Sequence, residues 1–246
     1  MAIKFEPVVA TSVTKQIAEQ IRESIFAGHL KADDRLPTEH ELADQFSVSR
    51  PTIREALKLL AAQNLIRSRR GPTGGTFVKR PTEEEAQADL TTAATLLVSL
   101  GKFDLPQIAE ARHELELVCG RLAALNRKPE HLEQMAAEIE VQKNPDLTDE
   151  DFCASDVRFH RALVDAAGNS VLSFVMYTVI EALQPVENMV IFRFRERRKI
   201  IRQHEKILAA IEDGNVKRTK KAITKQMTYL GEQFAKAQEY RSQMTA

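Results

Sequence analysis

Cysteine is scarce: the 246 residues hold two, Cys119 and Cys153. Neither has CxxC spacing and both sit in apolar helical patterns, which excludes a disulfide framework or zinc knuckle and predicts two buried free thiols. Net charge is absent too. Lys+Arg and Asp+Glu both number 35, so no uniformly basic surface is available for nucleic acid and only the distribution of charge carries information. No apolar run approaches the ~20 residues needed to cross a bilayer, and the opening MAIKFEPVV has no signal-peptide apolar region. A reducing, cytoplasmic setting is the expectation. Repeats and long low-complexity tracts are missing as well. What is present, 43% hydrophobic residues in a chain of this length, suffices for one large domain or two smaller ones.

The charge that exists is unevenly placed. Residues 1–80 carry 13 Lys+Arg against 9 Asp+Glu, and the remainder 22 against 26. Arg67, Arg69, Arg70, Lys79 and Arg80 crowd the end of the basic part. Glycine and proline mark the joints between segments of helical period. Val13, Ile17, Ile21 and Ile25 recur at four-residue steps, the stripe of an amphipathic helix over 12–27. Thr38-Glu39-His40-Glu41 has the S/T-x-x-E form of a capping box, which predicts a short helix carrying Leu42, Ala43 and Phe46 inward. Ser49 has the character of the next N-cap, with Pro51 in the first turn, where a missing N–H costs nothing. That helix should run to about Asn64. Only Gln45 to Val48 separate the two, as a helix-turn-helix requires. LIRSRRGPTGGTFVKR, from Leu65 to Arg80, reads as a basic hairpin with a glycine turn.

Three helices and a hairpin make a winged helix-turn-helix over residues 1–80. The acidic PTEEEAQ at 81–87 is the expected linker. Residues 88–246 show only helical patterns, near 88–100, 106–127, 130–142, 149–167, 170–184, 187–213 and 215–241. The fold class is therefore mainly α, with an all-α C-terminal bundle of about seven helices.

The start of the third helix carries recognition chemistry. Arg50 and Arg54, at i and i+4, share a face opposite Ile53, Ala56, Leu57 and Leu60. Arginine can meet guanine O6 and N7 with two bonds, worth about 1–3 kcal/mol of discrimination; hydroxyls and helix-start N–H groups can take phosphate. The alternative is a solvated cap on a helix that merely closes a bundle. The run GHLKADDRLPTEHELADQFSVSRPTIREALKLLAAQNLIRSRRGPTGGTFV resembles the DNA-binding domain of the GntR family of bacterial transcription regulators. It has the family's glycine before the second helix, LPxExxLA, VSRxTxREAL and a glycine-bearing wing. The resemblance implies DNA contacts at His40, where the family usually has Arg, and at Ser49, Arg50, Thr52 and Arg54, with Arg70 and Gly71 at the wing tip. Pro51 stands where relatives often have Thr or Ala.

In the second half, Asp156 and His160 lie at i and i+4 in SDVRFHRALVDAAGN, a carboxylate and an imidazole on one helix face. His204 belongs to a further helical stretch, RQHEKILAAIEDGN. These donors suit a divalent metal such as zinc or nickel; the spacing alone also fits an ion pair or a satisfied core histidine. Residues 88–240 resemble the FCD ligand-binding domain of the FadR-like branch of the same family. The resemblance rests on EARxxLE (Glu110, Ala111, Arg112, Leu115, Glu116), DxxFHxxLxxAxGN (Asp156, Phe159, His160, Leu163, Ala167, Gly168, Asn169) and a histidine ahead of LxAI (His204, Leu208, Ala210, Ile211). It implies a metal on Asp156, His160 and His204, with Gln226 where relatives carry a third histidine. It also implies a small carboxylate-bearing effector held by Arg112, Asn169 and Gln226. A guanidinium fork matches a carboxylate, although Arg112 can equally pair internally with Glu116 one turn on.

The basic run FRFRERRKIIRQ, Phe192 to Gln203, reads as a solvated helix side or one facing the DNA domain rather than a second nucleic-acid site. Apolar helix faces near 90–125 are expected to include a homodimer interface, because a reader of palindromic half-sites is two-fold. The expected function is that of a ligand-responsive transcription regulator, a repressor, binding double-stranded operator DNA and not an enzyme. Two alternatives stand beside it. One is a metal-dependent hydrolase using Asp156, His160 and His204, against which stands the lack of a second carboxylate or nucleophile at suitable spacing. The other is a constitutive architectural DNA binder with no effector.

Overall fold

The computed structural model describes residues 12–71, 73–103, 105–194 and 196–245, with side chains for all of these but 105, 183–194, 234 and 237–245. The chain forms two compact units, one ending at Glu83 and the other beginning at Glu84. Among the described residues no helix is long and apolar enough to cross a membrane.

The first unit contains α1 (Val13–Phe26), α2 (Glu39–Phe46), α3 (Arg50–Ala62), β1 (Ile66–Arg69) and β2 (Gly75–Val78). The predicted stripe of α1 delivers Ile17, Ala18 and Ile21 to the core, while Val13 at its start stands 51% exposed. The capping box forms as its sequence dictates: the Thr38 N–H donates to Glu41 Oε2 (2.7 Å) and the Glu41 N–H donates to Thr38 Oγ1 (3.3 Å). Ser47, in the left-handed region at φ 52°, ends α2. Ser49 caps α3, whose Ile53, Ala56, Leu57 and Leu60 close the core with Leu36, Leu42, Ile66 and Val78. β1 and β2 pair antiparallel from Ile66 opposite Val78 to Arg69 opposite Gly75. The turn between them needs glycine: a Cβ on Gly74 would fall 2.5 Å from the Arg69 carbonyl oxygen. This is the winged helix-turn-helix that the sequence predicts.

The second unit contains α4 (Glu83–Ser99), α5 (Leu105–Asn126), α6 (Pro129–Lys143), α7 (Asp149–Asp165), α8 (Ser170–Phe194), α9 (Arg197–Glu212) and α10 (Val216–Thr245). Helix α7 is central, burying Phe159, Leu163 and Val164 among Met135, Ile139, Met176, Ile180, Ile207 and Ile223, while its Phe152 packs with Ile200 and Tyr229. Helices α5 and α10 approach closely at Gly120, where an added Cβ would lie 2.1 Å from Ile223 Cδ1. Three boundaries differ from expectation, one being that the helix expected over 187–213 is divided, α8 ending at Phe194 and α9 beginning at Arg197. The segment expected as linker is helical from Glu83 onward, and acidic residues such as Glu83, Glu84 and Glu85 are favoured at a helix start by the peptide dipoles. The expected break between residues 184 and 187 does not occur; α8 runs through Pro185 to Phe194. A proline removes one i→i−4 bond and kinks a helix, but it ends one only where the flanking sequence also abandons the helical pattern.

Candidate functional site

The residues expected to meet DNA lie on α2, α3 and the wing. Ser49 Oγ, besides capping the Thr52 N–H (3.4 Å), lies 2.8 Å from Thr52 Oγ1. The two hydroxyls therefore act as a joined pair at the start of α3. Arg50 is exposed and makes no hydrogen bond or ion pair among the described residues. Arg54 is engaged: its Nε donates to Glu39 Oε1 (3.1 Å) and its Nη2 to Glu39 Oε2 (2.6 Å). The Arg54 hydrogen bond holds the Glu39 carboxyl below the usual carboxylate range against the opposing effect of its slight burial. His40 is exposed, with Nδ1 3.6 Å from Asp44 Oδ2. Arg70 and Gly71 are exposed at the wing turn, Gly71 with φ 109°, and Pro72 beside them lies outside the described residues. Arg67 and Arg80 both reach Asp33, at 2.8 and 3.2 Å. Glu39 escaped the residue-by-residue reading because its partner lies 15 positions away; the signal was a carboxylate at the first position of a short helix docked against an arginine-bearing one.

The second constellation is buried. Arg112 and Glu116 of α5, Asp156 and His160 of α7, His204 of α9 and Gln226 of α10 are all 1% exposed or less. Such burial of charge is tolerated only where the groups satisfy one another or hold an ion. His160 Nδ1 faces Glu116 Oε1 at 2.6 Å, and Arg112 Nε donates to Glu116 Oε2 at 3.5 Å. Burial pushes the Glu116 carboxyl upward, but the charge and hydrogen bond of His160 and the charge of Arg112 outweigh it, and the net direction is down. With Nδ1 against the Glu116 carboxylate, the His160 ring leaves Nε2 on its other side. The amide nitrogen of Gln226 lies 3.3 Å from that Nε2, and Gln226 Oε1 has no hydrogen-bond partner. His204 is oriented in the same manner: Nδ1 lies 2.8 Å from Gln142 Oε1, its Nε2 lies 3.3 Å from Asp156 Oδ1, and its ring stacks on Phe159 at 4.0 Å between centroids.

Asp156, His160 and His204 each offer one ligand atom, all within 4.8 Å of one another. Two imidazoles and a carboxylate suit a divalent transition metal, and both rings are fixed through their second nitrogen by an oxygen acceptor, as metal-binding histidines commonly are. The donor set fits the ion that the sequence implies. Both open readings of Arg112 meet here, since its contact with Glu116 places it beside His160. Asn169 does not join the cluster. It is exposed at the start of α8, its Oδ1 accepting the N–H groups of Val171 (3.1 Å) and Leu172 (3.2 Å), because an Asx side chain ahead of a helix satisfies the first free donors. Of the basic run, Arg197 pairs with Asp149 and donates to the Leu147 carbonyl oxygen (2.6 Å), and Lys199 lies over the Tyr229 ring at 4.0 Å. Phe192 to Arg195 fall outside the described side chains.

Comparison with known proteins agrees with the division of the chain. The family described as bacterial regulatory proteins, gntR family, matches residues 13–78, and the FCD domain matches residues 107–228. The transcriptional regulator LutR of Bacillus subtilis is 32% identical over 206 residues, 82% of this chain and 91% of that protein. A putative L-lactate dehydrogenase operon regulatory protein of Escherichia coli K12 is 28% identical over 233 residues, 91% of this chain and 86% of the relative. Among solved structures, a Streptococcus agalactiae GntR protein superposes with a TM-score of 0.52 at 21% identity, covering 89% of this chain and 99% of its own, a likeness of fold. The relatives found by sequence are described as regulators, which sets the hydrolase alternative aside.

Proposed function

We propose, from the premise that this chain belongs to the GntR family of bacterial regulatory proteins and is a DNA-binding transcriptional regulator with an FCD domain, that it is a homodimeric repressor controlled by a small carboxylate. The observation that carries the reading is the buried group of Asp156, His160 and His204, backed by Glu116 and Arg112, in the unit that follows the winged helix-turn-helix. Asp156, His160 and His204 would hold a divalent ion, which when bound would supply a Lewis-acid point for a carboxylate oxygen. Glu116 and Gln142 orient the two rings through Nδ1, and Arg112 supplies the positive charge that favours an anion. The relative named for an L-lactate dehydrogenase operon lends support to a small hydroxy acid as the chemical class. In the first unit, Arg50 and Arg54 contact base edges in the major groove, Ser49, Thr52 and His40 contact the backbone, and Arg70 with Gly71 reaches an adjacent groove from the wing.

Palindromic half-sites require a two-fold reader, and exposed Leu90, Leu96 and Leu97 on α4, Leu100 just after it and Val118 on α5 offer the apolar surface for it. A protein that reads chromosomal DNA works in the cytoplasm. Metal analysis of protein purified without chelator tests the site: about one zinc or nickel ion per chain is expected, falling to a small fraction in Asp156→Ala and His204→Ala. Full retention of the ion in both variants would place it elsewhere.

A further inference from the structure

Among the acidic side chains of the reading head, Glu39 is the one that pairs with an arginine at the start of α3. Glu39 sits in the first turn of α2, where the Thr38–Glu41 capping box fixes the backbone, and it grips Arg54 of α3 with both carboxylate oxygens. The Arg54 side chain is 52% exposed and that of Glu39 29%, and an ion pair so open to water contributes little to stability. Its geometry is informative instead. The carboxylate takes the Nε–Nη2 edge of the guanidinium and leaves the Nη1–Nη2 edge, with two parallel N–H groups, facing away. That free edge is one of the two that can meet guanine O6 and N7 together.

We propose that Glu39 is a specificity-determining residue: it holds Arg54 by one edge, presents the other to a single G·C pair in each half-site, and offsets the charge that would make Arg54 a general phosphate contact. A long cationic side chain released from such a grip gains rotamers and binds phosphates of any sequence, which raises non-specific affinity and lowers discrimination. The carboxylate repels phosphate oxygens, so the penalty falls on binding modes in which Arg54 turns to the backbone. The inference rests on the reading of α3 as the recognition helix.

Selection from a randomised duplex library with the full chain tests it, comparing wild type, Glu39→Gln, Glu39→Ala and Arg54→Ala. Arg54→Ala is expected to erase the preference at one G·C pair of each half-site. Both Glu39 variants should weaken the preference at that same pair by roughly tenfold, while binding unselected duplex more tightly with a salt slope steeper by about one phosphate. Glu39→Gln keeps the side chain's size, and a thermal melt matching wild type establishes that it folds. Wild-type preference at that pair in both Glu39 variants, or equal loss of affinity for every duplex, overturns the role of Glu39. Wild-type preference in Arg54→Ala overturns the recognition-helix assignment as well, so the two failures are distinguishable.

Discussion

The reading head and the bundle place charged side chains in opposite surroundings. On α2 and α3 an arginine meets a carboxylate in water, and the neighbouring Arg50 stands without an ion pair. Between α5, α7, α9 and α10, an arginine, two carboxylates and two histidines meet with almost no exposure at all. In water a mispaired charge is solvated at small cost, and the Glu39–Arg54 pair leaves one guanidinium edge open. In the bundle each charge depends on its neighbours, because desolvation in a low-dielectric interior has no other compensation. The same residue types therefore make an open, solvated contact in one region and a closed, mutually dependent cluster in the other.

The largest effect that could break this contrast belongs to the bundle. Glu116→Ala removes the carboxylate that Arg112 and His160 both meet, and loss of one partner of a buried pair costs about 3–5 kcal/mol. In a unit of this size that lowers the melting temperature by about 10 °C, measurable by scanning calorimetry; a shift no larger than that of Glu39→Ala would erase the distinction. Leu60→Ala, at a fully buried position of the first unit, is expected to cost about 2–5 kcal/mol by cavity formation. Chemical denaturation would then show that the head owes its stability to its apolar core rather than to its ion pairs.

A smaller effect concerns acid. Because Arg54 depresses the Glu39 carboxyl, the pair's contribution is fully present above the unfolded-state value of about 4.3 and is lost as pH falls through the lower folded-state value. Titration of the Glu39 carboxyl by NMR should give a midpoint below that of an unstructured glutamate, returning toward it in Arg54→Ala. The smallest effect is chemical. Burial first, and then the charge of Glu116, push the Cys119 thiol up to about 12, so alkylation of the native protein at pH 8 should leave Cys119 unmodified while unfolded chains react.

Much of this was legible in the sequence because it rests on local rules. The capping box at Thr38, the N-cap at Ser49, the apolar stripe of α3 and the glycine turn of the wing are each written within a few residues. The i, i+4 spacing of Asp156 and His160 was equally local. What escaped was set by tertiary packing: Glu39 against Arg54, Gln142 behind His204, and Glu116 joining Arg112 to His160 all depend on which helix faces which. Asn169 adds a contact that is local but that the motif does not announce, its side chain capping the start of α8. Pro185 shows that a breaker residue alone does not mark a boundary when helical sequence continues on both sides.

On the proposed function, the buried cluster governs DNA binding. Fluorescence anisotropy on a duplex selected by the wild-type chain tests it most directly, with protein stripped by chelator, loaded with zinc, and loaded with zinc in the presence of L-lactate, glycolate or citrate. At least one acid is expected to change Kd by about fivefold or more in the zinc-loaded protein, and none in the stripped protein or in Arg112→Ala. Superimposable isotherms in all states, with zinc bound at the cluster, would contradict it.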